Sequence, residues 1–314
     1  MLRDNIKLFS GSSHPILAKK IASELGVALG SITHSKFQCN ETYVKIDETI
    51  RGMDTYILQT AGSSVNDDLI ELFLIMDTLK RASAASVTII MPHFAYARQD
   101  KKSAPREPIS ARLIADLLQA VKMDRLITMD LHADQIQGYF DVPVDHLTAM
   151  PLFVEYFRKK QLKDLVVVAP DTGRAKFAKK LGDKLGADLA IMHKTRPDHN
   201  VAEIVHVVGD VKNKTILLVD DMVDTAGSIT SGLATLRQFG CNNDIYLATT
   251  HALFSGPAIE RLKAADLKEV IVTDTVPIPA HKQMDNLQVL STAPLLAEVI
   301  RRNIDHESIS TLFN

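Results

Sequence analysis

The 314-residue chain contains no Trp, only 5% aromatic residues and two cysteines. Few aromatics argue against a surface that reads nucleic-acid bases by stacking. With 36 Lys and Arg against 38 Asp and Glu, the formal net charge is −2, which argues against broad phosphate-backbone binding, although a cluster such as 98–102 could grip a small polyanion. Cys39 and Cys241 lie far apart in sequence, and so sparse a thiol content fits a reducing compartment. The opening residues, Met-Leu-Arg-Asp-Asn-Ile-Lys, lack the apolar core of a secretory signal. No apolar run approaches the roughly 20 residues that cross a bilayer. A cytoplasmic location, without nucleic-acid or membrane partners, is the expectation.

What is present is the balance of a globular protein, 46% hydrophobic and 24% charged. The length suits two domains at roughly 100–200 residues each. Short β-branched runs at 6–9, 55–59, 87–91 and 125–129 read as strands, and 15–25, 67–81 and 109–120 as helices. The rhythm repeats with strands at 165–169, 188–192, 216–219, 245–249 and 270–272. Helices are expected at 174–185, 228–238 and 294–302. Strands alternating with helices predict an α/β fold of mostly parallel sheets flanked by helices. The pattern breaks at 141–151, around two prolines, which predicts domains at 1–147 and 148–314. The tail from about residue 303 is expected to pack back on the first domain.

The most informative stretch is Ile-Leu-Leu-Val-Asp-Asp-Met-Val-Asp-Thr-Ala-Gly-Ser, residues 216–228. A buried-strand pattern runs into two carboxylates, Asp220 and Asp221, placed at the strand end to accept hydrogen bonds from vicinal hydroxyls. Asp224, Thr225, Ala226, Gly227 and Ser228 follow and open a helix. Backbone N–H groups, two hydroxyls and a helix N-terminus can there wrap a phosphate. Gly227 permits close backbone approach. Simple helix capping by Asp224, Thr225 and Ser228 is the competing reading, but capping requires neither paired acids nor a small-residue loop.

This element resembles the ribose-phosphate loop of the type I phosphoribosyltransferase superfamily. Further motifs resemble one branch, the ribose-phosphate pyrophosphokinases: Ala-Tyr-Ala-Arg-Gln-Asp-Lys-Lys at 95–102, Arg-Glu-Pro-Ile-Ser-Ala at 106–111 and Asp-Leu-His-Ala-Asp at 130–134. Lys-Thr-Arg-Pro at 194–197, Ser-Gly-Pro-Ala-Ile-Glu at 255–260 and Pro-Leu-Leu-Ala-Glu-Val-Ile at 294–300 continue the order. The resemblance runs from about residue 7 to 313.

It implies two phosphoribosyltransferase-like domains and transfer of the β,γ-diphosphoryl group of ATP to the C1 hydroxyl of ribose 5-phosphate. By resemblance, Lys194 and Arg196 are the catalytic cations, and Phe37, Cys39, Asn40, Glu41, Arg98, Gln99 and Asp100 bind ATP. Asp220, Asp221 and residues 224–228 take ribose 5-phosphate, while His132 and Asp171 hold Mg2+. Read alone, Phe37 would be core and Glu41 surface; the resemblance makes them a nucleotide loop donated by a neighbouring subunit. It thereby implies a homo-oligomer, a hexamer built from dimers. Residues 96–108 resemble a mobile flap over the nucleotide. Arg51, Ser83, Arg106, Ser308 and Ser310 resemble a site for a phosphate or ADP effector.

Two loops depart from the family pattern. A diphosphate loop that usually reads Asp-x-Gly-Gly is Asp-Thr-Gly-Arg at 171–174, and Phe177 stands where arginine is common. Arg174 either obstructs diphosphate or supplies the cation missing at Phe177. In the nucleotide loop, Cys39 replaces an aspartate and Asn40 a glycine, and Asn tolerates the left-handed backbone better than most residues. These departures keep open a non-catalytic regulatory subunit, and the shared sugar loop keeps open a phosphoribosyltransferase.

Overall fold

The computed structural model describes residues 5–195 and 204–313. The chain packs as two compact units, one of residues 1–148, 275–277 and 291–314, the other of 149–274 and 278–290.

In the first unit, five parallel strands lie in chain order: β1 (Ile6–Ser10), β4 (Asp54–Leu58), β5 (Ser86–Ile90), β6 (Arg125–Met129) and β7 (Val144–Leu147). Helices α1 (Pro15–Leu25), α2 (Val65–Arg81) and α3 (Ser110–Ala120) form their connections. Residues 57–58, 89–90 and 126–127 are wholly buried, as expected of parallel strands covered on both faces. A separate antiparallel hairpin, β2 (Ile32–Lys36) and β3 (Thr42–Ile46), lies between β1 and β4 in the chain. Helix α8 (Ala293–Ile304) returns to this unit. Arg301 donates to the Glu24 carbonyl at the end of α1, and Asn303 donates to Asp145 on β7 at 3.1 Å.

The second unit carries a seven-stranded sheet ordered β10 (Ile204–Val208), β9 (Asp188–Thr195), β8 (Leu165–Ala169), β11 (Thr215–Val223), β12 (Ile245–Ala252), β13 (Glu269–Thr273) and β14 (Leu287–Leu290). Among these strands, the β9–β10 pairing is antiparallel and the others are parallel. Helices α4 (Met150–Lys160), α5 (Ala175–Leu185), α6 (Gly227–Gln238) and α7 (Ala258–Ala264) belong to this unit. From β8 the chain first adds β9 and β10 on one side, then returns to build β11 to β14 on the other. The β8–β11 neighbourhood is therefore a topological switch point, where loops leaving the carboxyl ends diverge and open a crevice.

The expected strands and helices are present, with two adjustments that matter. Strand β11 does not stop before the acids: Asp220 pairs in register with Thr249, Met222 with His251 and Val223 with Ala252. Strand β9 runs through Lys194, which pairs with Val205, rather than ending before it. Within residues 141–151 the chain forms β7 and opens α4. Among the described residues, no helix is long and apolar enough to cross a membrane.

Leu218 is 0% exposed on β11, beside Val168 of β8. Leu218→Ala should lower the unfolding free energy of its unit by about 2–5 kcal/mol through lost burial and an unfilled cavity. Circular dichroism in urea would read this as a lower midpoint; an unchanged midpoint would show that β11 is not the centre of the core.

Candidate functional site at the switch point

Two loops flank the crevice. The first follows β8 and contains Asp171, Gly173 and Arg174 before α5; the second follows β11 and contains residues 224–226 before α6. The Asp171 side chain accepts the Arg174 N–H at 3.1 Å and so closes the first turn. A methyl group on Gly173 would sit 3.1 Å from the same oxygen, which favours glycine there.

The second loop makes its left turn at Ala226, φ 58°, and not at Gly227. Gly227 is favoured for another reason. A Cβ there would lie 3.3 Å from Arg261 Nη1, and that nitrogen donates to the Thr225 carbonyl at 2.9 Å. The Ser255 N–H donates to the Asp224 carbonyl at 2.9 Å and the Phe254 N–H to Val223 at 3.0 Å. The stretch 254–261 is thus the back wall of the loop. Its motif is visible in the sequence without a role, because the contact spans 36 residues. Thr225 and Ser228 are exposed, with the α6 N-terminus between them, an arrangement suited to an oxyanion.

Asp221 is buried and Asp220 half-buried, adjacent on the last part of β11. The Asp221 N–H donates to Asp220 Oδ1 at 2.9 Å. Desolvation, followed by repulsion from Asp221, holds the Asp220 carboxyl well above its ordinary value of 3.8, and the Arg174 charge partly opposes this. Arg174 lies over the Phe177 ring, 4.7 Å from its centroid.

The other predicted site residues occupy several places. Asp171, Lys194, Asp220, Asp221 and 224–228 belong to the second unit, whereas Phe37, Cys39, Asn40, Glu41, Arg98, Gln99, Asp100 and His132 belong to the first. Arg196 lies outside the described residues, and Lys194 is placed by its strand register alone. Residues 37–41 form the tip of the β2–β3 hairpin, where the Phe37 N–H donates to the Glu41 carbonyl at 2.9 Å. Asn40 takes φ 69°, the left-handed conformation its side chain tolerates. Phe37 is 54% exposed, set edge-on to Tyr43 with ring centroids 5.8 Å apart, so it is not a core residue. Cys39 is exposed beside it.

Segment 96–108 has no helix or strand but is tethered. Tyr96 donates to Asn66 at 2.5 Å, Ser110 donates to Gln99, and Gln135 donates to buried Asp100 at 2.8 Å. The Glu107 carboxylate accepts the N–H groups of Ser103 and Ala104 at 2.8 and 2.9 Å. Arg98 is exposed, as are His132 and Asp171. No group of three or more His, Cys, Asp or Glu side chains among the described residues could hold a metal by itself. Asp171, in the second unit, offers a hard oxygen donor and His132, in the first, a ring nitrogen, each a donor type that a divalent cation accepts beside water and phosphate oxygens.

The five residues expected at an effector site all belong to the first unit. The Gly52 N–H donates to the Ser83 carbonyl at 2.8 Å, which joins the turn after Arg51 to that of Ser83. Arg106 is exposed with φ 69°. Ser308 and Ser310 share a hydroxyl–hydroxyl hydrogen bond of 2.9 Å, and Arg302 donates to the Ser308 carbonyl at 2.6 Å.

Comparison with known proteins decides the family. Residues 6–121 match the model of the N-terminal domain of ribose phosphate pyrophosphokinase, and residues 198–314 match the phosphoribosyl synthetase-associated domain. A ribose-phosphate pyrophosphokinase of Clostridium tetani is 47% identical over 315 residues, covering 99% of this chain and 98% of that protein. One of Fusobacterium nucleatum is 45% identical over 313 residues, covering 99% of both. The chain belongs to the ribose-phosphate pyrophosphokinase family. The crystal structure of phosphoribosylpyrophosphate synthetase from Mycobacterium smegmatis shares the fold of this family member with a TM-score of 0.92 and 46% identity. It covers 96% of this chain and 99% of that one. A likeness running through both units leaves the phosphoribosyltransferase alternative without support, since the β11 loop alone would have carried it.

The Asp220 shift has a testable consequence. A carboxyl raised in the folded state favours folding while it is protonated and loses that contribution as pH rises from its unfolded value through its folded one. Asp220→Asn should therefore raise the melting temperature of the ligand-free protein at pH 7. The gain should fade as the pH is lowered toward 3.8, while phosphosugar binding weakens. Calorimetry across pH, without ligand, would show this; a lower melting temperature at neutral pH would contradict the desolvated carboxyl.

Proposed function

We propose that this chain transfers the β,γ-diphosphoryl group of ATP to the C1 hydroxyl of ribose 5-phosphate. The products are 5-phosphoribosyl 1-diphosphate and AMP. The observation that carries the reading is the juxtaposition, at one switch point, of an oxyanion-wrapping loop and a desolvated acid pair, in a chain of this family throughout. The 5-phosphate would sit on the N–H groups and hydroxyls of 225–228, and the ribose hydroxyls would donate to Asp220 and Asp221. Those hydroxyls would stabilise the charge that desolvation disfavours on Asp220, so the cost of burying the acid becomes binding energy for a polyol.

In the transfer, the C1 oxygen attacks the β-phosphorus, the bond to the α-phosphate oxygen breaks, AMP departs and the proton of the C1 hydroxyl is released. Such chemistry consists mainly of alignment and neutralisation of charge. Lys194 and Arg196 would stabilise charge on the diphosphoryl group in flight, the guanidinium through its planar fork and the ammonium as a point charge. Arg98 would hold phosphate oxygens, Gln99 and Asp100 would contact the nucleotide, and Phe37 would stack on the base with Glu41 accepting from its amine. The hairpin tip supports this role, because a large exposed aromatic on a polar ribbon is suited to covering a ligand in trans. That arrangement requires a homo-oligomer, and a hexamer is the expected form. Magnesium, with Asp171 and His132 as protein donors, would supply charge neutralisation to the diphosphate when bound. The tethered segment 96–108 would exclude water, which competes with ribose as acceptor. Ser308, Ser310, Arg51, Ser83 and Arg106 would form the phosphate or ADP effector site.

The direct test is AMP formation from ATP, dependent on ribose 5-phosphate and Mg2+. Absence of AMP at all phosphate concentrations, with its return on adding a second synthetase, would move the chain to the regulatory reading. Lys194→Ala should lower kcat by roughly 100-fold or more while leaving the affinity for ribose 5-phosphate near that of the wild type. Unchanged kcat would remove Lys194 from the transfer step.

A further inference from the structure

Arg174 carries an unusual combination of contacts. Its Nε and Nη2 atoms are buried, and neither has a hydrogen-bond partner among the described residues. Its guanidinium is stacked on Phe177, one helical turn along α5, where residues three apart share a face. Its charge reaches Asp220 across the β8–β11 crevice, since Arg174 opens the helix after β8 and Asp220 lies on β11.

A guanidinium cannot relieve its burial by losing a proton. Two buried donors without acceptors are costly, and the penalty exceeds that of a neutral group. Orientation toward solvent is the usual remedy, yet the guanidinium lies over the ring of Phe177, a cation–π contact that opposes such a turn. An unbraced arginine would turn outward; this one is kept with two unmet donors. The acceptor that suits two donors of one guanidinium fork is a group with two oxygens on one centre, a carboxylate or a phosphoryl group. The nearby carboxyl, Asp220, is governed first by desolvation and by its neighbour Asp221, with Arg174 a lesser influence. A phosphoryl anion entering beside two acids would be repelled by them, and a cation near those acids offsets part of that repulsion.

We propose that Arg174, braced by Phe177, is an anion-holding residue that donates Nε and Nη2 to a phosphoryl group of a substrate at the β8–β11 crevice. The identity of that substrate rests on the diphosphokinase reading: the group is either the phosphate of ribose 5-phosphate or the diphosphate being transferred. Arg174 thus serves the site and does not obstruct it. Phe177 is its positioning residue.

The test is calorimetric binding of ribose 5-phosphate and of inorganic pyrophosphate, separately, to the full chain and to Arg174→Gln, Arg174→Lys and Phe177→Leu. Arg174→Gln should weaken one of the two anions by about tenfold or more, as expected for a lost charged hydrogen bond. Arg174→Lys should recover part of the loss, by keeping the charge without the fork. Phe177→Leu should give a smaller loss in the same anion at unchanged melting temperature, a coupling that two independent structural roles would not produce. Weakening of ribose 5-phosphate alone assigns Arg174 to the sugar phosphate, and of pyrophosphate alone to the diphosphate. If both anions bind all three variants within about twofold of the wild type, or if Arg174→Gln binds either more tightly, the proposal is wrong. Should Arg174→Gln fail to fold, Arg174→Lys and Phe177→Leu decide by the same criterion. Wild-type AMP formation is measured apart from these titrations. Arg174-dependent anion binding without AMP would sink the diphosphokinase reading alone, and AMP formation with unaffected binding would sink this inference alone.

Discussion

The second unit depends on a strand that is apolar where it is covered and acidic where it ends. Residues 216–219 of β11 are wholly buried between β8 and β12, and this burial fixes register and twist at the sheet's centre. The same pairing carries Asp220 and Asp221 onward, because β12 continues beside them to Ala252. Two acids are therefore held by the sheet at a depth they would not choose by solvation. Their positions are set by the core and not by flexible side chains, which is how a site on a rigid element keeps its geometry.

Around that strand the fold divides labour. The switch point separates the loops after β8 and β11, and each is closed from a different direction. Asp171 closes the first from within, through the Arg174 amide. The second is closed from behind by Phe254, Ser255 and Arg261, three groups from the connection after β12. The left-handed Ala226 is tolerated because that wall over-determines it, at a cost of order 1–3 kcal/mol for a non-glycine residue. Gly227, which carries no such strain, instead leaves room for the Arg261 guanidinium.

Much of the framework is legible in the sequence, because parallel strands buried on both faces are written as apolar runs such as 166–169 and 216–219. The β2–β3 hairpin is not legible. Its strands alternate half-buried and exposed residues and carry His34, Lys36 and Lys45, so neither a core run nor a helical period marks them. Helix α4 is hidden by Pro151 near its start, a position where proline is compatible with a helix although it reads as a break. The end of β11 is misleading because paired acids resemble a strand terminus, and only the partner strand reveals that pairing continues. In the site, the acids and the small-residue loop are visible as local pattern. The wall formed by 254–261 is not, since nothing in that sequence states which backbone it will meet. The choice between an obstructing and a serving Arg174 can be posed from sequence but not resolved, because it turns on a contact with Phe177 and a field at Asp220.

Taken together, these contacts leave the crevice polarised in both directions. On β11, the Asp220 carboxyl is desolvated beside a second acid; just before α5, two guanidinium donors lack acceptors among the described residues; at α6, helix-terminal N–H groups lie between exposed Thr225 and Ser228. Side-chain rearrangement does not readily relieve all three, since the acids and the arginine are held on different elements at fixed spacing. A single small molecule can do so if it bears hydroxyls at one end and phosphoryl oxygens at the other. A phosphorylated sugar has that distribution, and a diphosphate placed beside it extends the acceptor end. The selectivity of such a site follows from pattern and not from shape alone: a neutral polyol would leave the guanidinium donors unmet, and inorganic phosphate would lack the vicinal sugar hydroxyls that stabilise the acids. The penalty for each group left uncompensated in a desolvated crevice is what separates the fitting ligand from its fragments.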